Sequence, residues 1–105
     1  MLTASDIIVQ FKNAVHNIYG NGVDKIVLYG SRARGDYRED SDFDFLVVLK
    51  DEALSKAKEN EIFNFTYEVW EKTYLKIHFL PMTTEKFYHA KTPLLYWVRK
   101  EGKEI

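Results

Sequence analysis

Two aspartates separated by one residue, Asp42 and Asp44, follow a Gly-Ser pair, Gly30 and Ser31, with ten residues between Ser31 and Asp42. These are the side chains whose types and spacing could do chemistry. On a strand, residues two apart point to the same side, with β-carbons about 6–7 Å apart. Two carboxylates so close call for a cation. Hard oxygen ligands without His or Cys beside them favour Mg²⁺, which keeps waters and is completed by substrate phosphates rather than by protein alone. The missing ligands therefore predict a nucleoside triphosphate. Gly30 and Ser31 supply what its phosphates need: backbone N–H groups exposed at a turn, opening a short helix, and a hydroxyl. Arg32 and Arg34 can add charge-assisted hydrogen bonds to the same oxygens.

Such residues need elements that hold them in place. The apolar run Val23 to Tyr29 reads as a strand that delivers the chain to Gly30, and Phe43 to Leu49 reads as a second strand beginning at the aspartates. Phe43, Phe45, Val47 and Leu49 alternate with Asp42, Asp44, Leu46 and Val48, so this strand is apolar on both faces beyond its start. Upstream, Thr3 or Ser5 can cap a helix through Ile7, Ile8, Phe11, Ala14, Val15 and Ile18, which Gly20-Asn21-Gly22 ends. Downstream, Leu54, Ala57, Ile62, Phe65 and Val69 predict a long helix from Asp51 to Lys72, with Phe63, Tyr67 and Trp70 thickening its apolar stripe. A third strand alternates Leu75, Ile77 and Phe79 with Lys76 and His78 up to a stop at Pro81. Strand, long helix, strand implies a right-handed parallel crossover. Thr83 or Thr84 opens a further helix through His89, Pro93 starts another, and Gly102 closes it, leaving the charge-mixed Arg99 to Glu104 as a solvated helix end.

Composition bounds the rest. A chain of 105 residues with 46% hydrophobic and 15% aromatic content supplies one compact domain, expected to span residues 1–105. Fifteen Lys and Arg against sixteen Asp and Glu leave a net charge of -1, without the basic excess that nonspecific nucleic-acid binding requires. Nucleic acid is thus not an expected partner. No run reaches the length of a membrane span, and the amino terminus lacks a basic lead into an apolar signal core, so cytoplasmic residence is the default expectation. The absence of cysteine removes disulfides and thiolate metal sites.

The fuller pattern, Gly-Ser-x-Ala-x-Gly followed by Ser-Asp-x-Asp, resembles the minimal nucleotidyltransferases of the DNA polymerase β superfamily, with the likeness running from about Ala4 to Phe87. The resemblance implies a small α/β nucleotidyltransferase fold, a mixed sheet of three to four strands flanked by helices. It implies transfer of AMP from ATP to a hydroxyl with release of pyrophosphate. Carried over, it puts Gly30 and Ser31 at the β- and γ-phosphates and Asp42 and Asp44 on two Mg²⁺ ions. Relatives of this size are often paired with a HEPN-domain ribonuclease toxin, of which they modify a tyrosine. One departure stands out: many superfamily members carry a third acid on the third strand, where this chain has Lys76 and His78. His78 looks like the equivalent position and could accept a proton, though imidazole is a poor Mg²⁺ ligand. Glu68 or Glu71 is the alternative acid.

Plainer readings compete at several positions. Arg34 could merely pair with Asp36, Glu39 or Asp40 in a surface turn, Ser41 could bond its own backbone, and His78 could be structural. Phe87, Tyr88, Tyr96 and Trp97 are either core or a surface for a partner or a homodimer. Without the third carboxylate, the alternative function is a catalytically weak or inactive nucleotide-binding antitoxin that neutralises its partner by contact. Transfer to a small molecule such as an aminoglycoside resembles larger relatives with an added substrate domain, for which this length leaves little room.

Overall fold

The first helix starts where its cap chemistry dictates. In the computed structural model, which describes residues 2–105, Thr3 accepts a hydrogen bond from the Asp6 amide while the Asp6 side chain accepts one from the Thr3 amide. That reciprocal box satisfies two N–H groups that a helix start would otherwise orphan. Helix α1 (Ala4–Tyr19) then buries Ile7, Phe11, Val15 and Tyr19, and a 3₁₀ turn over Gly20–Gly22 leads into strand β1 (Val23–Tyr29). The short helix α2 (Ser31–Arg34) connects β1 through a loop to β2 (Phe43–Leu49). Helix α3 (Lys56–Thr73), strand β3 (Ile77–Thr83), helices α4 (Thr84–His89) and α5 (Pro93–Glu101) and strand β4 (Lys103–Glu104) complete the order.

The sheet runs β3-β2-β1-β4. β1 pairs antiparallel with both β2 and β4, and β2 pairs parallel with β3 through the α3 crossover. The sheet is therefore mixed, with helices on both faces. Alternation along the strands divides the core in two. Ile26, Leu28, Phe43, Phe45, Val47 and Leu49 pack with residues of α1 and α3, whereas Val27, Leu46, Val48 and Met82 pack with residues of α4 and α5. Among the described residues, no helix is long and apolar enough to cross a membrane.

Four boundaries differ from the sequence reading, the simplest being that the third strand begins at Ile77, after Leu75 and Lys76. The long helix does not begin at Asp51: a 3₁₀ turn covers Asp51–Ala53, and Ser55 caps α3 by accepting from the Lys58 amide, so Leu54 lies half-exposed outside the helix. Strand β3 runs on through Pro81, because it is an edge strand bonded on one side only and a residue without an N–H is tolerated there. The tail after Gly102 is a strand, not a solvated helix end. Lys103 and Glu104 pair with Leu28 and Val27, and the Ile105 amide donates to the Ile26 carbonyl at 3.0 Å. Gly102 makes this return feasible, since a β-carbon there would press on the Val98 carbonyl and lie 2.6 Å from Val27 Cγ1.

Candidate active site

β1 ends at Tyr29, and the chain must turn sharply to avoid β2. Gly30 makes that turn with φ 76° and ψ −159°, a combination reserved almost entirely for glycine. Its carbonyl then accepts from the Ala33 and Arg34 amides, both at 3.1 Å, which closes the first turn of α2. The leading N–H groups of Ser31 and Arg32 have no intrahelical carbonyl, as at every helix start. A second requirement for glycine comes from the neighbour: a β-carbon on Gly30 would lie 2.6 Å from Asp44 Oδ2. The absent side chain is what lets the turn lie against the carboxylate.

Asp44 is the second residue of β2, paired across the sheet with Tyr29 on one side and His78 on the other. Asp42 immediately precedes the strand. Both aspartates share the face of Leu46 and Val48, at the end of the sheet that α4 and α5 leave uncovered. Burial, and secondarily the Asp42 charge, push the Asp44 carboxyl above its ordinary range, while His78 and Arg34 pull it back. Partial burial thus sets that direction, and the neighbouring carboxylate adds to it. His78 Nε2 lies 2.9 Å from Asp42 Oδ2, both side chains being about half-exposed. The histidine on the third strand thus meets the first aspartate directly. Glu68 and Glu71, the alternative acids, are exposed on α3, which packs against the opposite face of the sheet.

The two arginines part company. Arg32 donates to the carbonyls of Ser41, at 3.0 Å, and Glu39, at 2.9 Å, and its guanidinium lies over the rings of Phe43 and Tyr37. It ties the loop before Asp42 to α2, so its donors serve the scaffold of the site. Ser41 pins the same loop, its hydroxyl accepting from the Arg38 amide at 2.8 Å. Arg34 pairs with Asp36, as the plainer reading had it, but also reaches Glu101 at 3.4 Å on α5. Trp97 and Glu101 line one depression with Arg34. Tyr29, Trp97 and Glu101 carry no motif and join the site's surroundings only through the sheet and the α5 packing. Tyr29 alone had a signal, its place immediately before Gly30.

Among the described residues no cluster of three His, Cys, Asp or Glu side chains is close enough to form a metal cage. Two half-buried carboxylates beside a free-amide turn nonetheless suit an ion that takes its remaining ligands from phosphates and water. A cavity of about 950 Å³ between Thr3, Tyr37, Lys72 and Leu75 meets the site through Arg32 and the loop.

Residues 8–100 match the family described as the nucleotidyltransferase domain. Two proteins of Methanocaldococcus jannaschii, each bearing the name "putative protein adenylyltransferase", are similar in sequence. One is 40% identical over 57 residues, covering 54% of this chain and 58% of its own, and the other is 51% identical over 41 residues, covering 39% and 41%. The matches thus span only about half the length of those relatives. Among solved structures, the fold resembles a toxin-antitoxin complex with AMP-PNP, with a TM-score of 0.61, 19% identity and coverage of 90% of this chain and 69% of that one. It also resembles a complex of a tri-AMPylated Shewanella oneidensis HEPN toxin with its MNT antitoxin, with a TM-score of 0.52, 17% identity and coverage of 91% and 69%. At these identities the structural likeness speaks for the fold.

Proposed function

The chain belongs to the nucleotidyltransferase domain family, and from that premise we propose that it transfers AMP from ATP to a protein hydroxyl, a tyrosine of a HEPN-domain partner. The observation that carries this reading is the close approach of the Gly30 turn to Asp44, with Asp42 alongside: a turn without a side chain lies directly against a pair of carboxylates. Gly30 and Ser31 hold the β- and γ-phosphates through turn amides and the serine hydroxyl. Asp42 and Asp44 would hold Mg²⁺. When bound, the metal neutralises the phosphate charge that develops during displacement. Arg34 faces the same end of the sheet and adds positive charge toward Asp44. Arg32 fixes the loop so that Asp42 stays in register. His78, hydrogen-bonded to Asp42 through Nε2, stands where it can take the proton of the attacking hydroxyl on its other nitrogen.

The relatives' names and the AMPylated toxin in one structural neighbour support a protein acceptor. The test is labelling with α-³²P-ATP and Mg²⁺ in the presence of the HEPN-type product of the adjacent gene. Wild-type protein transfers the α-label and not a γ-label, and Asp42→Asn/Asp44→Asn lowers transfer by about 10³-fold or more, since positioning and electrostatics carry this chemistry. No transfer by the folded wild-type protein ends the proposal. A second reading draws on the histidine at the position of the third acid: neutralisation by contact alone. If the double variant still neutralises the toxin, chemistry is not the mechanism.

A further inference from the structure

The strand order fixes the order of events across the site. The phosphate turn follows β1, Asp42 and Asp44 stand at the start of β2, and His78 is the second residue of β3, so the three lie side by side in the sequence β1, β2, β3. In-line displacement puts the attacking group opposite the leaving pyrophosphate. With the pyrophosphate at the β1 turn, an acceptor that attacks from the opposite side of the α-phosphate approaches from the β3 side of the aspartates. β3 is an edge strand, and the ground beyond it is aromatic. Phe63, Tyr67 and Trp70 of α3 are 49%, 58% and 38% exposed and, with Lys76 and His78, line a groove of about 480 Å³. His78, whose ring bonds Asp42 on the carboxylate face, is also a lining residue of this groove, which therefore meets the site at the β3 edge between the two faces of the sheet.

Resting on the function proposed above, we infer that this groove is the acceptor site and that it takes a polypeptide segment flanking the modified hydroxyl. Length argues for a polypeptide: the aromatic strip continues from Phe63 to Tyr74, which is 78% exposed and in edge contact with Trp70. At 1.5 Å per helical residue that is about 16 Å, the span of roughly five extended residues and more than a small acceptor needs. Charge argues against nucleic acid, because Lys76 is the single Lys or Arg among the residues that line the groove. Exposed Tyr, Trp and Phe in one strip are the side chains that protein interfaces favour.

Steady-state transfer to the HEPN protein, with Tyr67→Lys and Trp70→Ala as variants, tests the assignment. Tyr67 is well exposed, so Tyr67→Lys leaves the fold intact should Trp70→Ala unsettle α3. The expected result is a KM for the acceptor protein raised at least tenfold in Tyr67→Lys. The KM for ATP stays at the wild-type value in both variants. Wild-type transfer that Tyr67→Lys and Trp70→Ala both leave unaltered overturns the groove assignment alone. Absence of any wild-type transfer overturns the functional reading and this inference together. Groove-dependent labelling of an RNA 3′ end instead of protein overturns the choice of a polypeptide.

Discussion

On one face of β2, Phe43, Phe45, Val47 and Leu49 are at most 1% exposed beneath α1 and α3. The other face opens with Asp42 and Asp44 and becomes apolar only at Leu46 and Val48. A single seven-residue strand therefore carries a fully buried apolar face and, at its start, a half-exposed charged one back to back. The aromatic face holds the strand rigid: Phe45 stacks on Phe11 with ring centroids 4.1 Å apart and planes 10° apart, and Phe43 continues the stack. The carboxylates on the reverse take their positions from the backbone of the same strand, which the ladders to β1 and β3 also hold. Without a fixed strand, the carboxylates would swing apart and relieve their repulsion.

Breaking the aromatic face should have the largest effect. Phe45→Ala removes a wholly buried ring from that stack and should cost about 3–5 kcal/mol, read as a fall in the urea midpoint. Because the carboxylates depend on the strand and not on the ring itself, any protein that remains folded should retain nucleotide affinity within a few-fold. Loss of ATP binding at temperatures where Phe45→Ala is still folded would show that the two faces are not separable.

Gly30→Ala should act in the opposite sense, modestly on the fold and heavily on the site. The backbone conformation at Gly30 penalises any side chain by about 1–3 kcal/mol, and the new β-carbon would displace Asp44 Oδ2 from 2.6 Å away. Transfer activity should fall by about 10²-fold, as expected when a reacting array is misplaced by an ångström or so. A variant with wild-type activity would mean that the turn and Asp44 move independently.

The same contrast explains what could be read from the sequence. The candidate site was legible because its residues are local: Gly30-Ser31 and Asp42-x-Asp44 stand out by spacing, and strand alternation puts the two aspartates on one face. The Thr3 cap was legible for the same reason. What the sequence hid depends on neighbours that are distant along the chain. Lys103 and Glu104 look like helix-end charge, and become a strand only because β1 offers a free edge and Gly102 lets the backbone pass Val27. Pro81 looks like a stop until the strand proves to lie at the sheet's edge. Arg32 looks like a phosphate ligand, and its loop contacts with Glu39 and Ser41 arise only when the loop folds back over it. Phe63, Tyr67 and Trp70 fit the period of a buried stripe, yet α3 is covered along Ile62 and Val69, leaving the aromatics outside.

The smallest predicted effect tests the charge itself. In the folded chain the Asp44 carboxyl holds its proton to higher pH than an unfolded aspartate, chiefly because it is partly buried and then because Asp42 lies near. Between the unfolded and the raised folded value the native state binds the extra proton, so stability falls as pH rises through that window. Above it the full cost of ionising Asp44 is present, and below the unfolded value it is gone. Asp44→Asn should therefore raise the melting temperature of the nucleotide-free protein at neutral pH. The gain should shrink as pH drops through the acidic range, where the wild-type carboxyl becomes neutral as well. Melting curves of both proteins at several pH values, without divalent cation, supply the measurement. A gain that does not change with pH would mean that shape or hydrogen bonding at position 44, and not the confined charge, sets the difference; a loss at neutral pH would mean that Asp44 is held by favourable contacts, and the contrast between the two faces of β2 would disappear.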